Sequence, residues 1–567
     1  MRKRLWSVAL ALAVAAVSPV QAQGIAGSYL AARSAGMSSD YKAAADYFTR
    51  ALARDPSNPH LLESTVLSQL SLGEVARAIP VARKMEADGL QSQIARLVLV
   101  ADEAATGKYD ALLARLDEER GIGPLVDGLL NAWALMGNGS VSAALKAFDG
   151  VAAERGLAAF ALYHKAMALA SVGDFEGAEA IFADSAGGPL QMTRRGAIAR
   201  VEILSQLDQG DTAMGLLDEL FGRDFDPAIQ AIRARLEAGE TLPFTMVQDP
   251  RQGVAEVFYS VAAALNAEAG EDYTLLYTRV VEYLRPDHTD GILLSASLLD
   301  SLGRYELASA TYKSVVQDSP SYFAAELGRA ETLRKAEKLD SAVEVLEQLT
   351  RSHGAFPMVW VTLGDLMRQL KRFDEATVAY DTAVELYGAP SSEHWFIYYA
   401  RAISFERLGE WPKAEADFRT ALELNPNQPQ VLNYLGYSLV EHKLKLDEAL
   451  SLIEQAVEAR PDSGYIVDSL GWALYRLGRY EDAIGHMERA AELMPVDPVV
   501  NDHLGDVLWA VGRKREAEFQ WHRALSFAKY DNASGDVDAD RIRRKLEVGL
   551  DVVLAEEGAP PLKVAHD

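Results

Sequence analysis

Histidine, aspartate and serine side chains near the C-terminus have the types needed for catalysis or metal binding. His486, His503 and His522 could ligate zinc through imidazole nitrogen. Asp468 and Ser469, in the segment DSLGW, could join a histidine in a hydrolase triad. The histidines fall at helix positions, mostly beside charged residues, which favours exposed or half-packed side chains over a zinc site. Ser469 lies inside a predicted helix, without the strained turn or oxyanion donors that a nucleophile needs.

Motifs for other chemistries are missing from the sequence. It contains no HExxH, no calcium loop, no GxxxxGK[ST] phosphate loop, no GxGxxG after a strand and no GxSxG elbow. It also contains no cysteine, which excludes disulfides, thiolate catalysis and a lipid-modified N-terminal cysteine. The sequence therefore predicts a protein that is not an enzyme and holds no metal or cofactor.

Small residues recur at a nearly constant interval along the chain and indicate repeated elements. Successive members lie about 34 residues apart, with one longer interval between Gly364 and Ala402. Each falls within a predicted helix, where a glycine costs about 1 kcal/mol relative to alanine. Close packing of a second helix against the small residue can offset that cost. The series consists of Ala262, Ala296, Ala330, Gly364, Ala402, Gly436, Gly471 and Gly505.

A second small residue and a closing proline complete the repeated unit. Alanine recurs in the second half of each unit, for example at Ala449, Ala483 and Ala517. Several units end at a proline such as Pro461 or Pro495, which stops a helix because it lacks an amide donor. This pattern resembles the tetratricopeptide repeat, which has a period of about 34 residues and forms two antiparallel helices.

The resemblance implies an all-α tetratricopeptide-repeat solenoid, a right-handed superhelix of helix-turn-helix units in two arms. Residues 23–220 are predicted to hold about six degenerate repeats, and residues 255–530 about eight clearer ones. A proline- and glycine-containing segment, residues 221–254, is predicted to be a joint. The last segment, residues 531–567, is expected to form one amphipathic capping helix followed by a disordered tail after Glu557.

The first 22 residues predict export from the cytoplasm. A basic start, an apolar core and small residues ending at Ala22 are typical of a secretory signal peptide. The alternative is a membrane anchor, although the apolar core is short for a spanning helix. Without a lipidated cysteine, the exported protein is expected to be periplasmic, with no transmembrane segment. The net charge of -26 disfavours nucleic acid as a partner.

Positions on the first helix of each repeat predict a partner-binding groove. With the small residue as position 8, positions 5, 9, 12 and 13 are expected to face the concave side. Aromatic side chains beside carboxylates suit a basic or extended peptide. Two alternatives stay open: the tryptophans could pack on neighbouring helices, and the acids could form a solvated face. The candidates are Asn433, Tyr437, Asp468, Trp472, Tyr475, Arg476, Asp502, Asp506 and Trp509.

The block from NYLGYSL to NDHLGDVLWAVGRKREAEFQW also resembles the long exported tetratricopeptide proteins of proteobacteria. One member of that group activates a periplasmic carboxyl-terminal processing protease and presents peptidoglycan hydrolases to it. The resemblance implies a non-catalytic protein-protein interaction scaffold in the cell envelope. We expect it to act as an adaptor for a protease or a cell-wall enzyme complex. The alternative is an assembly factor for outer-membrane protein or polysaccharide export.

Overall fold

The structure is a computed structural model that describes residues 25–118, 121–184, 192–222, 226–528 and 537–562. The predicted signal peptide and the end of the predicted tail lie outside these residues. The described residues form 31 α-helices and one 3-10 helix, and no strand occurs among them. They divide into two compact units, the first ending at His353 and the second beginning at Gly354.

The helices of the first unit are α1 (Ile25–Met37), α2 (Tyr41–Leu52), α3 (Pro59–Ser71), α4 (Val75–Ala87), α5 (Gln93–Ala105), α6 (Tyr109–Asp117), α7 (Pro124–Gly137), α8 (Val141–Ala152), α9 (Ala158–Ser171), α10 (Phe175–Asp184), α11 (Arg194–Gln206), α12 (Gly210–Phe221), α13 (Pro227–Glu237), α14 (Pro250–Leu265), α15 (Glu271–Leu284), α16 (Thr289–Ser301), α17 (Tyr305–Tyr312), α18 (Tyr322–Lys335) and α19 (Leu339–His353).

The helices of the second unit are α20 (Pro357–Gln369), α21 (Phe373–Tyr387), α22 (Trp395–Arg407), α23 (Trp411–Leu424), α24 (Pro429–Glu441), α25 (Leu446–Ala459), α26 (Gly464–Arg476), α27 (Tyr480–Leu493), α28 (Pro498–Ala510), α29 (Lys514–Ala528), α30 (Ala539–Val548) and α31 (Leu550–Glu556). The short 3-10 helix Ser392–His394 precedes α22.

Consecutive helices pack as antiparallel pairs, each closed by a tight turn. Among the described residues, six pairs precede α13 and eight run from α14 to α29. In the turn after α26, Gly478 has a φ of 75°, a left-handed conformation that favours glycine. The next pair begins where Asp497 caps α28 by accepting a hydrogen bond from Val500 N at 2.9 Å.

The recurring small residues lie where the two helices of a pair touch. A methyl group at Gly471 would meet Met487 Sδ at 2.2 Å, and one at Gly505 would meet Trp521 Cδ1 at 2.4 Å. Met487 and Trp521 are fully buried side chains of the second helix of their pair. Mid-helix glycine is therefore explained by close packing within each pair, as the repeat pattern predicts.

In the first unit, α14 and α15 pack against the first helices of earlier pairs. α14 contacts α7 and α9, and α15 contacts α3 and α5. A methyl group at Gly253 would meet the buried ring of Trp133 at 2.2 Å. Arg279 Nε donates to Ser71 O at 3.2 Å. The chain's own helices thus cover part of the inner face of these pairs.

This packing bears on the predicted joint at residues 221–254. The segment contains α13 and an extended stretch before α14, and it lies inside the first compact unit. α14 and α15 contribute apolar side chains to the same core as α3 to α9. Their contacts therefore connect helices that lie on both sides of the predicted joint. The boundary between compact units falls later, between His353 and Gly354.

The C-terminal segment forms two helices, where the sequence analysis expected one. Gly549, with a φ of 86°, separates α30 from α31. Ile542 and Leu550 are buried against the last repeat, and Leu546 is half-buried. The break lets both short helices place apolar residues on the last pair, so that segment covers the end of the second unit.

Candidate binding groove

The inner face of the second unit is formed by the first helix of each pair. α20 contacts α22, α24 contacts α26, and α26 contacts α28. A stack of helix pairs curves towards the side where neighbouring helices meet, so these helices line its concave face. We use the name inner groove for the surface formed by positions 2, 5, 9, 12 and 13 of α20, α22, α24 and α26.

Position 2 gives the inner groove its most exposed apolar side chains. Met358 is 45% exposed, Phe396 37% and Tyr465 61%. These residues occupy the same place on α20, α22 and α26, which puts them in one row across the unit that the exposed Gln430 of α24 interrupts. Burial, then Glu441 and Asp468, and then Tyr465 raise the pKa of the Tyr437 hydroxyl. Exposed apolar rows of this kind mark interaction surfaces.

Aromatic rings continue from this row into the floor of the inner groove. The ring centroid of Tyr399 lies 6.2 Å from that of Trp395 and 6.0 Å from that of Tyr434, the latter edge-on. Burial is the main cause that raises the pKa of Tyr399 to about 12, so its hydroxyl stays protonated at neutral pH. This part of the floor is therefore aromatic.

Trp472 lies on the C-terminal wall of the inner groove and belongs to a stack of rings. Its centroid is 3.9 Å from that of His503, at an interplanar angle of 14°, and 4.9 Å from that of Tyr475. Its Nε1 donates to Glu441 Oε1 at 3.3 Å. The ring is half-buried, so one part packs and another remains accessible.

Asp468 lies beneath this stack and bonds to His503. His503 Nδ1 lies 3.0 Å from Asp468 Oδ2. Burial would lower the pKa of His503, but Asp468, Asp502 and Asp506 outweigh it and raise the pKa above its usual value. Asp468 is itself buried, so it holds the histidine in place and does not face an open surface.

The three predicted residues of the last repeat lie beneath the C-terminal helices. Lys545 Nζ, fully buried, lies 2.9 Å from Asp502 Oδ1 and 2.5 Å from Asp506 Oδ1. Trp509 Nε1 donates to Asp551 Oδ2 at 2.9 Å, and Trp509 is buried beside Gly549. Burial, then the neighbouring Asp506, raises the pKa of Asp502. At this end of the unit, α30 and α31 occupy the predicted groove positions.

The other predicted residues divide between the interior and the surface. Asn433 is buried, and its Nδ2 donates to Ser469 Oγ at 3.1 Å. Tyr475 is buried, whereas Tyr437 is half-buried and Arg476 is exposed and pairs with Glu441 at 3.3 Å. Tyr437, Trp472 and Arg476 are thus the predicted residues that border the inner groove. Their role in binding stays a prediction.

The sequence analysis missed the exposed position-2 residues, since it counted only positions 5, 9, 12 and 13. Position 2 lies on the same helix face as positions 5, 9 and 12. Extending the count by one turn would therefore have found Met358, Phe396 and Tyr465. It could not have found the pairing of Lys545 with Asp502, because the two lie far apart in the sequence.

A buried polar cluster in the first unit was also missed. Arg195 NH2 lies 2.7 Å from Glu256 Oε2, and Tyr163 OH donates to Glu256 Oε1 at 2.7 Å. Burial would raise the pKa of Glu256, but Arg195 and His288 outweigh it and hold the pKa well below its usual value. These residues join α9, α11 and the start of α16 to α14. Tyr163, Arg195 and Glu256 border a cavity of 510 Å³. The charged and polar side chains of the cluster bond to one another, so we interpret it as a structural cluster.

Two of the residues considered for chemistry, Ser469 and His503, have hydrogen-bond partners within the second unit. Ser469 is buried, and its hydroxyl donates to Tyr465 O at 3.1 Å. Within the described ranges, no group of three or more histidine or acidic residues could hold a metal ion. In that same part of the chain, no helix combines the length and apolar character needed to cross a membrane.

Comparison with known families identifies the repeats. A tetratricopeptide repeat model matches residues 29–90, 129–189, 327–392, 399–463 and 443–498. Together these segments cover just over half of the chain. They include most of α1, all of α2 to α4, most of α7 to α10, the end of α18, α19 and much of the second unit.

Curated relatives share only part of their length with this chain. A TPR repeat-containing protein of Pseudomonas aeruginosa is 25% identical over 162 residues, which are 28% of this chain and 27% of that protein. Tetratricopeptide repeat protein 13 of Homo sapiens is 26% identical over 192 residues, 33% of this chain and 22% of that protein. The chain thus spans about a quarter of the length of these relatives.

Solved structures include similar helical arrays. The Cut9 and Hcn1 hetero-tetramer of the APC/C has a TM-score of 0.37 and 16% identity, covering 93% of this chain and 97% of that chain. A tetratricopeptide repeat protein from Parabacteroides merdae has a TM-score of 0.38 and 16% identity, covering 45% and 96%.

Proposed function

Because this chain belongs to the tetratricopeptide repeat family, we propose that it is a scaffold whose inner groove binds a segment of a partner protein. Repeats of this family typically act as non-catalytic interaction scaffolds. The observation that carries the proposal is the row of exposed apolar side chains, Met358, Phe396 and Tyr465, above an aromatic floor. Solvent-exposed rings of this type are common anchors of protein interfaces.

We locate the proposed site on the inner surface that the chain's own helices leave uncovered. In the first unit, α14 and α15 pack on inner helices, and in the second unit α30 and α31 cover the last pair. The inner groove between α20 and α26 retains exposed apolar surface. We therefore assign partner binding to this part of the second unit.

We also propose that the protein works in the bacterial cell envelope, in the periplasm. The basic and apolar pattern of residues 1–22 supports export, and the resemblance of the C-terminal block supports an adaptor role. The partner would be a periplasmic processing protease or a peptidoglycan hydrolase. Recruitment by a scaffold raises the effective concentration of enzyme and substrate without any chemistry by the scaffold.

The test is affinity capture from an extract of the source organism, with the chain lacking residues 1–22 as bait. A groove variant, Phe396→Ala with Tyr465→Ala, is compared with an outer-face variant, Val378→Ala with Phe519→Ala, at side chains that are also exposed. We expect mass spectrometry to find a protease or hydrolase with the wild type and the outer-face variant, and several-fold less with the groove variant.

Two results would change the proposal. If both variants captured the same proteins as the wild type, the inner groove would not be the binding site. If the groove-dependent partners were components of outer-membrane protein or polysaccharide export, the function would be assembly and the adaptor role would be wrong.

A further inference from the structure

We infer that the inner groove binds an uncharged, proline-rich segment in the polyproline II conformation, an inference that rests on the proposed function. Aromatic side chains from three successive inner helices converge on this surface. Phe396 and Tyr399 come from α22, Tyr437 from α24 and Tyr465 from α26. Tyr465 contributes to the raised pKa of both Tyr399 and Tyr437, so the three hydroxyl groups lie near one another. The groove thus combines flat apolar rings with hydroxyl groups.

The charged side chains of the inner groove balance one another. Arg368 pairs with Asp365 at 3.6 Å, and Arg476 pairs with Glu441 at 3.3 Å. Glu406 accepts two hydrogen bonds from α24, at 3.0 and 2.8 Å. A partner's charge would give up its hydration here without meeting a net opposite charge, so the groove favours uncharged residues. The charged residues at positions 9, 12 and 13 are Asp365, Arg368, Glu406, Arg407, Glu441 and Arg476.

Two tyrosine hydroxyl groups of the groove are available to donate hydrogen bonds. Tyr399 and Tyr437 are half-buried, and within the described ranges neither hydroxyl has a hydrogen-bond partner. Burial is the main cause that raises the pKa of each, so both hydroxyls stay protonated at neutral pH. A polyproline II segment supplies the acceptors, because its carbonyl groups make no internal hydrogen bonds and proline carries no amide donor.

The spacing of the inner helices suits the same conformation. Neighbouring packed helices lie about 8–10 Å apart. One turn of a polyproline II helix advances about 9 Å, since each of its three residues rises by about 3.1 Å. A proline in every turn can therefore meet a ring of the next inner helix. On α24, where the apolar row is interrupted, Gln430 is exposed, and its amide can donate to a carbonyl group of the partner.

An α-helix or a β-strand would match this surface less well. An α-helix bonds its own carbonyl groups, so it would leave the hydroxyls of Tyr399 and Tyr437 without acceptors. A strand also presents amide donors, whereas the groove carboxylates Asp365, Glu406 and Glu441 already accept hydrogen bonds or ion pairs. A proline-rich segment is extended before it binds, so it loses less conformational entropy than either.

The experiment measures the fluorescence anisotropy of labelled peptides with the full chain. The probe peptide consists of Ala-Pro-Pro repeats, and the control peptide of Ala-Ser-Gln repeats of equal length, which are also uncharged. We expect the proline probe to bind at least about tenfold more tightly than the control. Its affinity should change by less than about twofold when salt is raised to about 0.5 M, because salt screens charges and this contact uses none.

A tyrosine variant tests the hydroxyl group and leaves the ring in place. We expect Tyr437→Phe to weaken binding of the proline probe about fivefold, the effect of one lost hydrogen bond. The matched control is Tyr480→Phe, at a half-buried tyrosine on the second helix α27, which should leave the affinity unchanged. Phe396→Ala with Tyr465→Ala removes two rings and should weaken binding by more than about tenfold.

Three results would overturn the inference. Equal affinity for the two peptides would exclude selection of polyproline II. Unchanged affinity of either groove variant would exclude the contacts proposed for the probe. No binding of the proline probe, while the Phe396→Ala and Tyr465→Ala variant still loses its captured partner, would leave the proposed function intact and make the partner class wrong. Unchanged partner capture by that variant would instead contradict the proposed function.

Discussion

At the scale of single residues, Gly505 shows how close packing selects glycine. Because the ring of Trp521 is fully buried and 2.4 Å from a methyl group placed there, it has no room to move. We expect Gly505→Ala to lower the free energy of unfolding by about 1–3 kcal/mol through overpacking. Urea denaturation followed by circular dichroism measures this change.

Gly485 provides the matched control for that substitution. It lies on the exposed side of α27, and a methyl group there would meet nothing within 4 Å. We expect Gly485→Ala to raise the free energy of unfolding by about 0.5–1 kcal/mol, because alanine restricts the unfolded chain and favours helix. Similar effects of the two substitutions would contradict the packing role of Gly505.

His503 predicts a pH dependence of stability. Its pKa is raised in the folded chain by Asp468, Asp502 and Asp506 against the effect of burial, and its ring stacks on Trp472. The protonated form therefore stabilises the fold fully below the unfolded pKa of about 6.5, and this contribution is lost as pH rises through the folded pKa. We expect the stability advantage over His503→Gln to be larger at about pH 5.5 than at about pH 8.5.

Urea denaturation of both proteins at several pH values measures that difference. An advantage of the wild type that is constant with pH would mean that the ring acts through packing alone. An advantage that grew with pH would mean that the neutral imidazole is the bound form.

The sequence predicted the role of a residue correctly where its packing partner lies in the same repeat. Gly471 and Gly505 recur because each must admit a bulky side chain from the second helix of its own pair. It failed for Asp502 and Trp509, which look like open groove residues by position. Their partners, Lys545 and Asp551, come from helices outside the repeat, and periodicity carries no signal for such contacts.

At the scale of elements, α30 depends on one buried charge. Removing Lys545 would leave Asp502 without its ion-pair partner and Asp506 with only the longer contact to Arg541, at 3.5 Å. We expect Lys545→Met to destabilise the docked helix by about 3–5 kcal/mol, because breaking a buried pair leaves an uncompensated charge. Hydrogen exchange of residues 539–556, read by mass spectrometry, should become faster while α20 to α23 stay protected.

Arg543→Met is the control within the same helix. Arg543 is exposed, and among the described residues its one ion pair is with Asp540, one turn away. Its removal should therefore change stability by less than about 0.5 kcal/mol. Equal exchange in the two variants would show that α30 is held by its apolar residues and that the buried pair contributes little.

The break between α30 and α31 depends on a tertiary contact that the helix pattern of the sequence does not contain. The spacing of Ile542, Leu546 and Leu550 fits one continuous helix, and glycine inside a helix costs only about 1 kcal/mol. The ring of Trp509 lies against Gly549, 2.6 Å from where a methyl group would be. The chain turns there to pack on that ring, which is a tertiary effect.

At the scale of the whole molecule, the core of the first unit determines where the chain can be truncated without loss of its fold. It contains Leu62 and Val98 from early pairs together with Val257 and Val280 from α14 and α15. We expect a fragment of residues 23–353 to unfold cooperatively. A fragment ending at Glu240 should aggregate or bind a hydrophobic dye, because it exposes that core.

Circular dichroism melts and dye binding of the two fragments distinguish these outcomes. A stable, soluble fragment ending at Glu240 would support the segment 221–254 as the joint between independent arms. The architecture was predictable because a period of about 34 residues specifies the helix pair. The return of α14 and α15 onto earlier helices was not, since nothing in a repeat says which surfaces meet at long range.

The central claim is that the inner groove of the second unit holds a partner protein. The most direct measurement places a photo-crosslinking amino acid at Phe396 in the groove or at Val378 on the outer helix α21, both exposed. We expect light to link the partner to position 396 and not to position 378. Links of equal yield at both positions, or at position 378 alone, would contradict it.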